Sequence, residues 1–134
     1  MFREFNLKDL DKFEPNKLSD YEDYKEIFYA EQAFKYVYSK GQKVLAIIIF
    51  MPYWENNWCF FVLFSKDFKA AYLRDLKNFF ELCIEKIRPD RLVTDSVDID
   101  FNNKLHKLFG FNLEGTRRRH MYGQDINMWG RIWE

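Results

Sequence analysis

The sequence has few glycines and few cysteines, and each shortage excludes a class of site. Only 5 of the 134 residues are glycine, and none occurs between Gln42 and Phe109. Because phosphate-binding loops and dinucleotide-binding turns need closely spaced glycines, neither a P-loop nor a Rossmann pattern is present. Cys59 and Cys83 lie in apolar segments without metal-ligand spacing. We interpret them as buried thiols in a reducing, cytosolic compartment.

Long hydrophobic runs and an excess of charge of one sign are also absent. The longest apolar run, Val44 to Met51, is too short to cross a bilayer and predicts a buried strand. The N-terminus is charged from Arg3 onwards, so no signal peptide is expected. Basic and acidic residues each number 21, so composition favours neither nucleic acid nor a membrane as a partner.

Aromatic residues make up 20% of the chain, which suits a folded domain with a packed core. No repeat or Gly/Ser/Pro-rich linker divides the sequence, so we expect one domain over residues 1–134. Hydrophobic periodicity predicts alternating strands and helices. In chain order they are a strand at 2–7, a polar connection at 8–17, a helix at 19–33, strands at 34–38, 44–51 and 58–64, a helix at 67–88, a strand at 91–97, a helix at 101–109, and strands at 112–122 and 125–133.

The strands at 44–51 and 58–64 are apolar at consecutive positions, which indicates that helices cover both faces of the sheet. The fold class is therefore α/β with a mixed sheet. Within the short helix at 101–109, Gly110 is expected as the left-handed C-cap and Asp100 as the N-cap. The expected core face of this helix is formed by Phe101, Leu105, Leu108 and Phe109.

The C-terminal third carries the most specific pattern. The segment from Leu105 to Arg117 contains a short helix, a Gly-Phe corner and a strand that opens with Glu-Gly-Thr-Arg. Together with the order of elements, this segment resembles the GNAT superfamily of N-acetyltransferases. The chain is also similar to short, divergent GNAT-like proteins of tailed phages. The resemblance implies an acyl-CoA N-acyltransferase fold, with splayed parallel strands at 58–64 and 91–97 and helices on both faces.

The resemblance implies transfer of an acetyl group from acetyl-CoA to a primary amine. In the family, the cofactor's pyrophosphate lies on N–H groups at the start of the helix after the fourth strand. The family's glycines are missing from this loop, and Asp67 adds a negative charge, so both a retained and a lost cofactor site remain open. The residues implied to bind the cofactor are Phe64, Lys66, Phe68, Lys69, Ala70 and Ala71.

The family's general acid is a tyrosine four residues before the Gly-Phe corner, and His106 occupies that position here. The resemblance implies that His106 protonates the leaving thiolate and that the cofactor's thiol end points toward it. The alternative is a solvated histidine at the edge of the helix. The carboxylates Glu55, Asp95 and Asp98 lie near the expected strands, and the sequence does not choose a general base among them.

Two functions remain. One is an active N-acetyltransferase, and the other is a non-catalytic GNAT-fold binding or structural protein with a protein partner, plausible as a component of a phage virion. The cluster at residues 117–120, Arg-Arg-Arg-His, does not favour nucleic acid, because its members alternate between the two faces of a strand. We interpret it as a charged edge strand that opposes aggregation.

Overall fold

The computed structural model describes residues 1–15, 28–121 and 123–133, without the side chains of 119–121. In this part of the chain, neither α-helix is long and apolar enough to cross a membrane. The strands are β1 (Phe2–Glu4), β2 (Phe34–Lys40), β3 (Lys43–Trp54), β4 (Asn57–Phe64), β5 (Arg91–Val97), β6 (Asn112–Met121) and β7 (Gln124–Ile132). The helices are α1 (Leu73–Ile87) and α2 (Asp100–Leu108).

The strands form one mixed sheet in the order β1-β2-β3-β4-β5-β7-β6. Strands β4 and β5 are parallel, and α1 is the crossover segment that a parallel pair requires. Their ladder joins 57–59 to 91–93, and both strands continue beyond it. The predicted fold class is confirmed, including the parallel direction of these two strands.

The chain divides into two compact units, of which the first comprises residues 1–52 and 60–76. Strand β3 is its centre, because Val44 to Phe50 are all buried, as their consecutive apolar character predicts. Gly41 lies in the β2–β3 turn and has a φ of 61°. The core cluster of this unit contains Phe13, Phe28, Ala33, Val37, Val44, Ile47, Ile49 and Leu63.

The second unit comprises residues 53–59 and 77–134. In its core, Phe80 of α1 stacks on Phe109 with ring centroids 4.7 Å apart. Trp129 of β7 is also buried, and its indole N–H donates to Ser96 Oγ at 3.1 Å. Strand β6 lies at the edge of the sheet, and Arg118 on it is exposed, so the prediction of a charged edge strand is confirmed.

Several predicted boundaries shift in the structure. Strand β3 continues through Pro52 to Trp54, so the predicted break at 52–57 is wrong, and Glu55 and Asn56 alone make the turn. A 3₁₀ helix at Leu7–Lys12 replaces much of the predicted polar connection. Most of the predicted helix at 19–33 lies outside the described residues, and its described end at 28–33 is a 3₁₀ turn followed by a further turn.

The predicted core face of α2 is partly wrong. Leu105 and Phe109 are buried as expected, but Phe101 is 38% exposed and Leu108 is 42% exposed. The buried stripe contains His106 instead, because the face that packs inward runs through positions 102, 105, 106 and 109 at helical spacing. Asp100 is also not the N-cap, since Ile99 occupies that position.

The end of α2 has the predicted form. Gly110 has a φ of 82°, and its N–H donates to the carbonyl oxygen of Lys107 at 3.1 Å. The N–H of Phe111 donates to the carbonyl oxygen of His106 at 2.9 Å. These two bonds make a Schellman motif, in which the buried Phe111 supplies the accompanying apolar contact.

Candidate cofactor site and a buried histidine

The connection from β4 to α1 is a tight turn built on Ser65. This buried serine donates its N–H to the carbonyl oxygen of Leu45 at 2.9 Å, which attaches the turn to β3. Its Oγ accepts the N–H of Asp67 at 2.9 Å, and its carbonyl oxygen accepts the N–H of Phe68 at 3.2 Å. Because this turn uses residues 65–68, the helix starts later than the predicted Asp67.

A neighbouring segment covers the other side of the turn. Glu14 accepts the N–H of Lys66 through its carbonyl oxygen at 2.9 Å, and its carboxylate pairs with Lys66 Nζ at 2.6 Å. Pro15 forms an isolated antiparallel bridge with Ser65. The backbone N–H of Lys66 therefore already has an acceptor, whereas the ammonium group of Lys66 takes part in an exposed ion pair.

The helix begins with a 3₁₀ turn at Ala70–Tyr72 that continues into α1. Lys69 is the N-cap, and its side chain makes no capping hydrogen bond. The N–H of Tyr72 donates to the carbonyl oxygen of Lys69 at 2.9 Å, and the N–H groups of Ala70 and Ala71 come before this first intrahelical donor. Among the predicted cofactor-binding residues, Phe68 thus uses its N–H within the turn, whereas the N–H groups of Ala70 and Ala71 lie ahead of the helical hydrogen bonds.

An open cavity of about 370 Å³ lies beside this helix start. It brings together the predicted residues Lys66, Phe68 and Lys69 with two lysines of the β2–β3 hairpin that we did not predict from the sequence, Lys40 and Lys43. Their proximity depends on the sheet register and the turn path, which residue types alone do not show. The described residues that line it are Lys40, Lys43, Leu45, Lys66, Asp67, Phe68, Lys69 and Tyr72.

The negative charge of Asp67, which opposes an anion at this loop, is partly compensated. Its carboxylate lies 3.3 Å from Lys43 Nζ. The predicted Phe64, Ala70 and Ala71 are not among the residues that line the cavity. The ring of Phe64 packs on Phe68 at 4.5 Å, and Phe68 in turn meets Tyr72 edge-on at 5.7 Å. These aromatic contacts hold one wall of the cavity in place.

His106 lies in the core of the second unit and not at a solvated helix edge. Its side chain is 3% exposed, and its ring stacks on Trp129 with centroids 5.4 Å apart. Phe111 meets the same ring edge-on at 5.6 Å. The expectation of an ordinary surface histidine is therefore wrong, because distant apolar residues cover this face of α2.

The hydrogen bond of His106 determines its tautomer, and its burial determines its charge. Nδ1 lies 2.7 Å from the carbonyl oxygen of Asn102, which can only accept, so Nδ1 carries the proton and Nε2 the lone pair. Burial lowers the pKa of the imidazole to about 4, against the smaller opposing effect of the Asn102 carbonyl. His106 is neutral at pH 7, and a neutral imidazole is a poor proton donor to a thiolate.

The three candidate bases occupy different surroundings. Glu55 lies in the exposed β3–β4 turn with a φ of 48°, and Asp95 is exposed on β5. Asp98 accepts hydrogen bonds from Asn103 at 2.8 Å and from the buried Asn127 at 3.0 Å. Because Asp98 is tied into this amide network, it fits a structural role at the start of α2.

The thiols and possible metal ligands add no further site. Burial raises the pKa of Cys59 to about 11 and of Cys83 to about 12, so both are protonated at neutral pH. Cys83 is buried and Cys59 is half-buried. Over the residues that the structure describes, no cluster of histidine, cysteine and carboxylate side chains could hold a metal ion.

Comparison with known proteins identifies the fold but no close relative. No protein-family model matches the chain, and no curated protein sequence matches it. The ribosomal-protein-S18-alanine N-acetyltransferase from Escherichia coli is 16% identical with a TM-score of 0.78, over 98% of this chain and 92% of that one. The IAA acetyltransferase from Bacillus cereus is 9% identical with a TM-score of 0.75, over 99% of each chain.

A third solved structure carries a cofactor. The spermidine N-acetyltransferase from Vibrio cholerae, in complex with CoA and spermine, is 12% identical with a TM-score of 0.74. The alignment covers 98% of this chain and 94% of that one. At such low identities, the similarity establishes the fold alone: this chain has the fold of GNAT acetyltransferases.

Proposed function

We propose that this protein binds acetyl-CoA at the start of α1 and transfers the acetyl group to a primary amine. The observation that carries the proposal is the lysine-lined cavity, which reaches Lys69 and Tyr72 in the first helical turn. Backbone N–H groups and the positive end of the helix dipole favour an anion at such a helix start. Lysine side chains around it strengthen that preference.

The residues of the loop fit a pyrophosphate only in part, which defines the binding mode. The N–H groups of Ala70 and Ala71 bind phosphate oxygens, and the ammonium groups of Lys66 and Lys69 neutralise their charge. Ala70 and Ala71 are exposed, and their methyl groups are the smallest side chains that can replace the family's glycines. The Phe68 N–H stays in the Ser65 turn and takes no part.

Acetyl-CoA, when bound, supplies an activated thioester. The backbone of β4 beyond Cys59 lies outside the β4–β5 ladder, and it binds the pantetheine arm in this proposal. A neutral, buried His106 does not serve as the proton donor, so we assign protonation of the leaving thiolate to solvent. The orientation of the thiol end toward His106 stays a prediction.

Calorimetric titration with acetyl-CoA tests the binding step. We expect saturable binding that weakens in the variant Lys66→Gln/Lys69→Gln, because both ammonium groups neutralise phosphate charge. The matched control is Lys104→Gln/Lys107→Gln, which removes the same charge from exposed positions of α2. Absence of binding at millimolar ligand, or equal loss in both double variants, would refute the site.

Release of the CoA thiol in the presence of a panel of primary amines tests the transfer step. We expect turnover by the native chain and a retained rate in His106→Phe, measured under conditions where circular dichroism shows that the variant is folded. A large fall in rate without a change in acetyl-CoA affinity would restore His106 as the general acid, since an acid acts in the transition state.

The second candidate function is a non-catalytic GNAT-fold binding or structural protein. The burial and neutrality of His106 favour it, because the family's acid position then holds a packing residue. Binding of acetyl-CoA without turnover of any amine, or no binding at all, would support this alternative. An association with phage particles remains a prediction from the sequence resemblance.

A further inference from the structure

The two hairpin lysines form an arrangement that the sheet itself does not favour. Lys40 and Lys43 are direct partners at the last pair of the β2–β3 ladder, next to the turn at Gly41. Like charges directly opposite each other destabilise an antiparallel pair. Both lysines nevertheless line the cavity at the start of α1.

The contacts within the protein compensate this charge only weakly. The Lys43–Asp67 pair has side chains that are 67% and 36% exposed, and exposed ion pairs contribute little. Lys40 Nζ lies 4.7 Å above the ring centre of Tyr72 and so has a π-face as its neighbour. With Lys66 paired to Glu14, four lysines face two carboxylates, and the cavity keeps a net positive charge.

We propose that Lys40 and Lys43 form a second phosphate subsite, which binds a phosphomonoester of the same ligand whose pyrophosphate lies at the helix start. This inference rests on the proposed function, and the phosphomonoester of CoA is its 3′-phosphate. At neutral pH such a group carries close to two negative charges and three acceptor oxygens. The phosphate would relieve the repulsion between the paired lysines, because the two ammonium groups on neighbouring strands can bind it together.

The test compares CoA with dephospho-CoA, which lacks only the 3′-phosphate. Affinities are measured by calorimetry for the native chain, for Lys40→Gln/Lys43→Gln and for the control Lys104→Gln/Lys107→Gln. We expect the native chain and the control to bind CoA about tenfold or more tightly than dephospho-CoA, because dephospho-CoA cannot form the charged hydrogen bonds to the two lysines. In the hairpin variant, CoA should bind no better than dephospho-CoA.

The outcomes separate the two proposals. Equal native affinities for both ligands would overturn the second subsite and leave the proposed function intact. The second subsite is also overturned if the hairpin variant keeps the native preference for CoA, because another group then binds the 3′-phosphate. Absence of binding of either ligand to the native chain would overturn both proposals. Because Lys40 and Lys43 are exposed, thermal unfolding should show a folded variant.

Discussion

The start of α1 and the end of α2 differ in whether their backbone N–H groups are hydrogen-bonded within the chain. At the end of α2, the N–H groups of Gly110 and Phe111 close the last turn on its own carbonyl groups. At the start of α1, Lys69 makes no side-chain cap, and the N–H groups of Ala70 and Ala71 come before the first N–H that donates within the helix. The end of α2 therefore has its backbone hydrogen bonds made within the chain, whereas the start of α1 has N–H groups that make no hydrogen bond within the helix.

The surroundings of the two ends differ in the same direction. Phe109 and Phe111 are buried at the end of α2, where aromatic packing requires one fixed backbone path. The start of α1 opens instead on a cavity with four lysines. A helix end closed by its own chain serves packing, whereas an end with donors and cations has capacity for a ligand. The following changes test this contrast.

Phe109→Ala should have the largest effect on stability. The side chain is fully buried and stacks on Phe80, so its removal should lower the free energy of unfolding by about 3 to 5 kcal/mol. The neighbouring Leu108→Ala should cost far less, since Leu108 is 42% exposed. Urea unfolding of both variants measures the difference. Similar losses would mean that the face of α2 is assigned wrongly.

Acidification should weaken the fold through His106. The folded-state pKa of about 4 lies below the ordinary value of 6.5, so the unfolded chain binds the proton more readily. The stability from this group is complete above pH 6.5 and is lost as the pH falls toward 4. We expect a loss of about 2 kcal/mol between pH 7 and pH 5.

Urea titrations at the two pH values measure this loss, and two variants identify its source. His106→Phe should remove the loss of stability between pH 7 and pH 5. His120→Gln, which changes the other histidine of the chain, should retain it. A loss that persists in His106→Phe would assign the pH dependence to a different group.

Gly110→Ala should cost about 1 kcal/mol or more, because a side chain is strained at a φ of 82°. The added methyl group would also lie 3.2 Å from the guanidinium group of Arg131. Gly123→Ala is the matched control, since Gly123 has a φ of 74° but open space around it. The excess cost at Gly110 measures the Arg131 contact. A neutral Gly110→Ala would contradict the Schellman assignment.

Lys69→Ser should have the smallest effect on stability, and it should stabilise the fold where the other variants destabilise it. A serine at this N-cap can accept an N–H of the first turn, which should raise stability by about 0.5 to 1 kcal/mol. The hydroxyl and the lost charge should also weaken acetyl-CoA binding. The control Lys104→Ser, within α2, should be slightly destabilising. If Lys69→Ser does not stabilise, the first-turn donors already have partners.

The strands and the Gly110 corner were predictable because their signals are local. Strand β5 has the predicted bounds of 91–97, and the consecutive apolar residues of β3 are buried as expected. The start of α1 was placed too early because the hydrogen bonds of Ser65 form a turn that the helical pattern of α1 does not reveal. Local periodicity identifies a helix more reliably than its first residue.

The environment of His106 and the hairpin lysines was not predictable, because tertiary neighbours create both. His106 is covered by Trp129, which lies 23 residues away in sequence on β7. Lys43 reaches Asp67 only through the pairing of the strands. A polar residue type at position 106 indicated an exposed helix edge, and the ring stack on Trp129 overrides that indication. Candidate sites built from distant residues therefore need coordinates.

The two cysteines make this chain a convenient background for chemical labelling. Burial raises the pKa of Cys59 to about 11 and of Cys83 to about 12, so almost no thiolate is present at pH 7. Maleimide dyes react with the thiolate form. A cysteine introduced at the exposed Ala70 would therefore react first without removal of the native thiols. A dye at that position would report directly, through its fluorescence, on whatever arrives at the first turn of the helix.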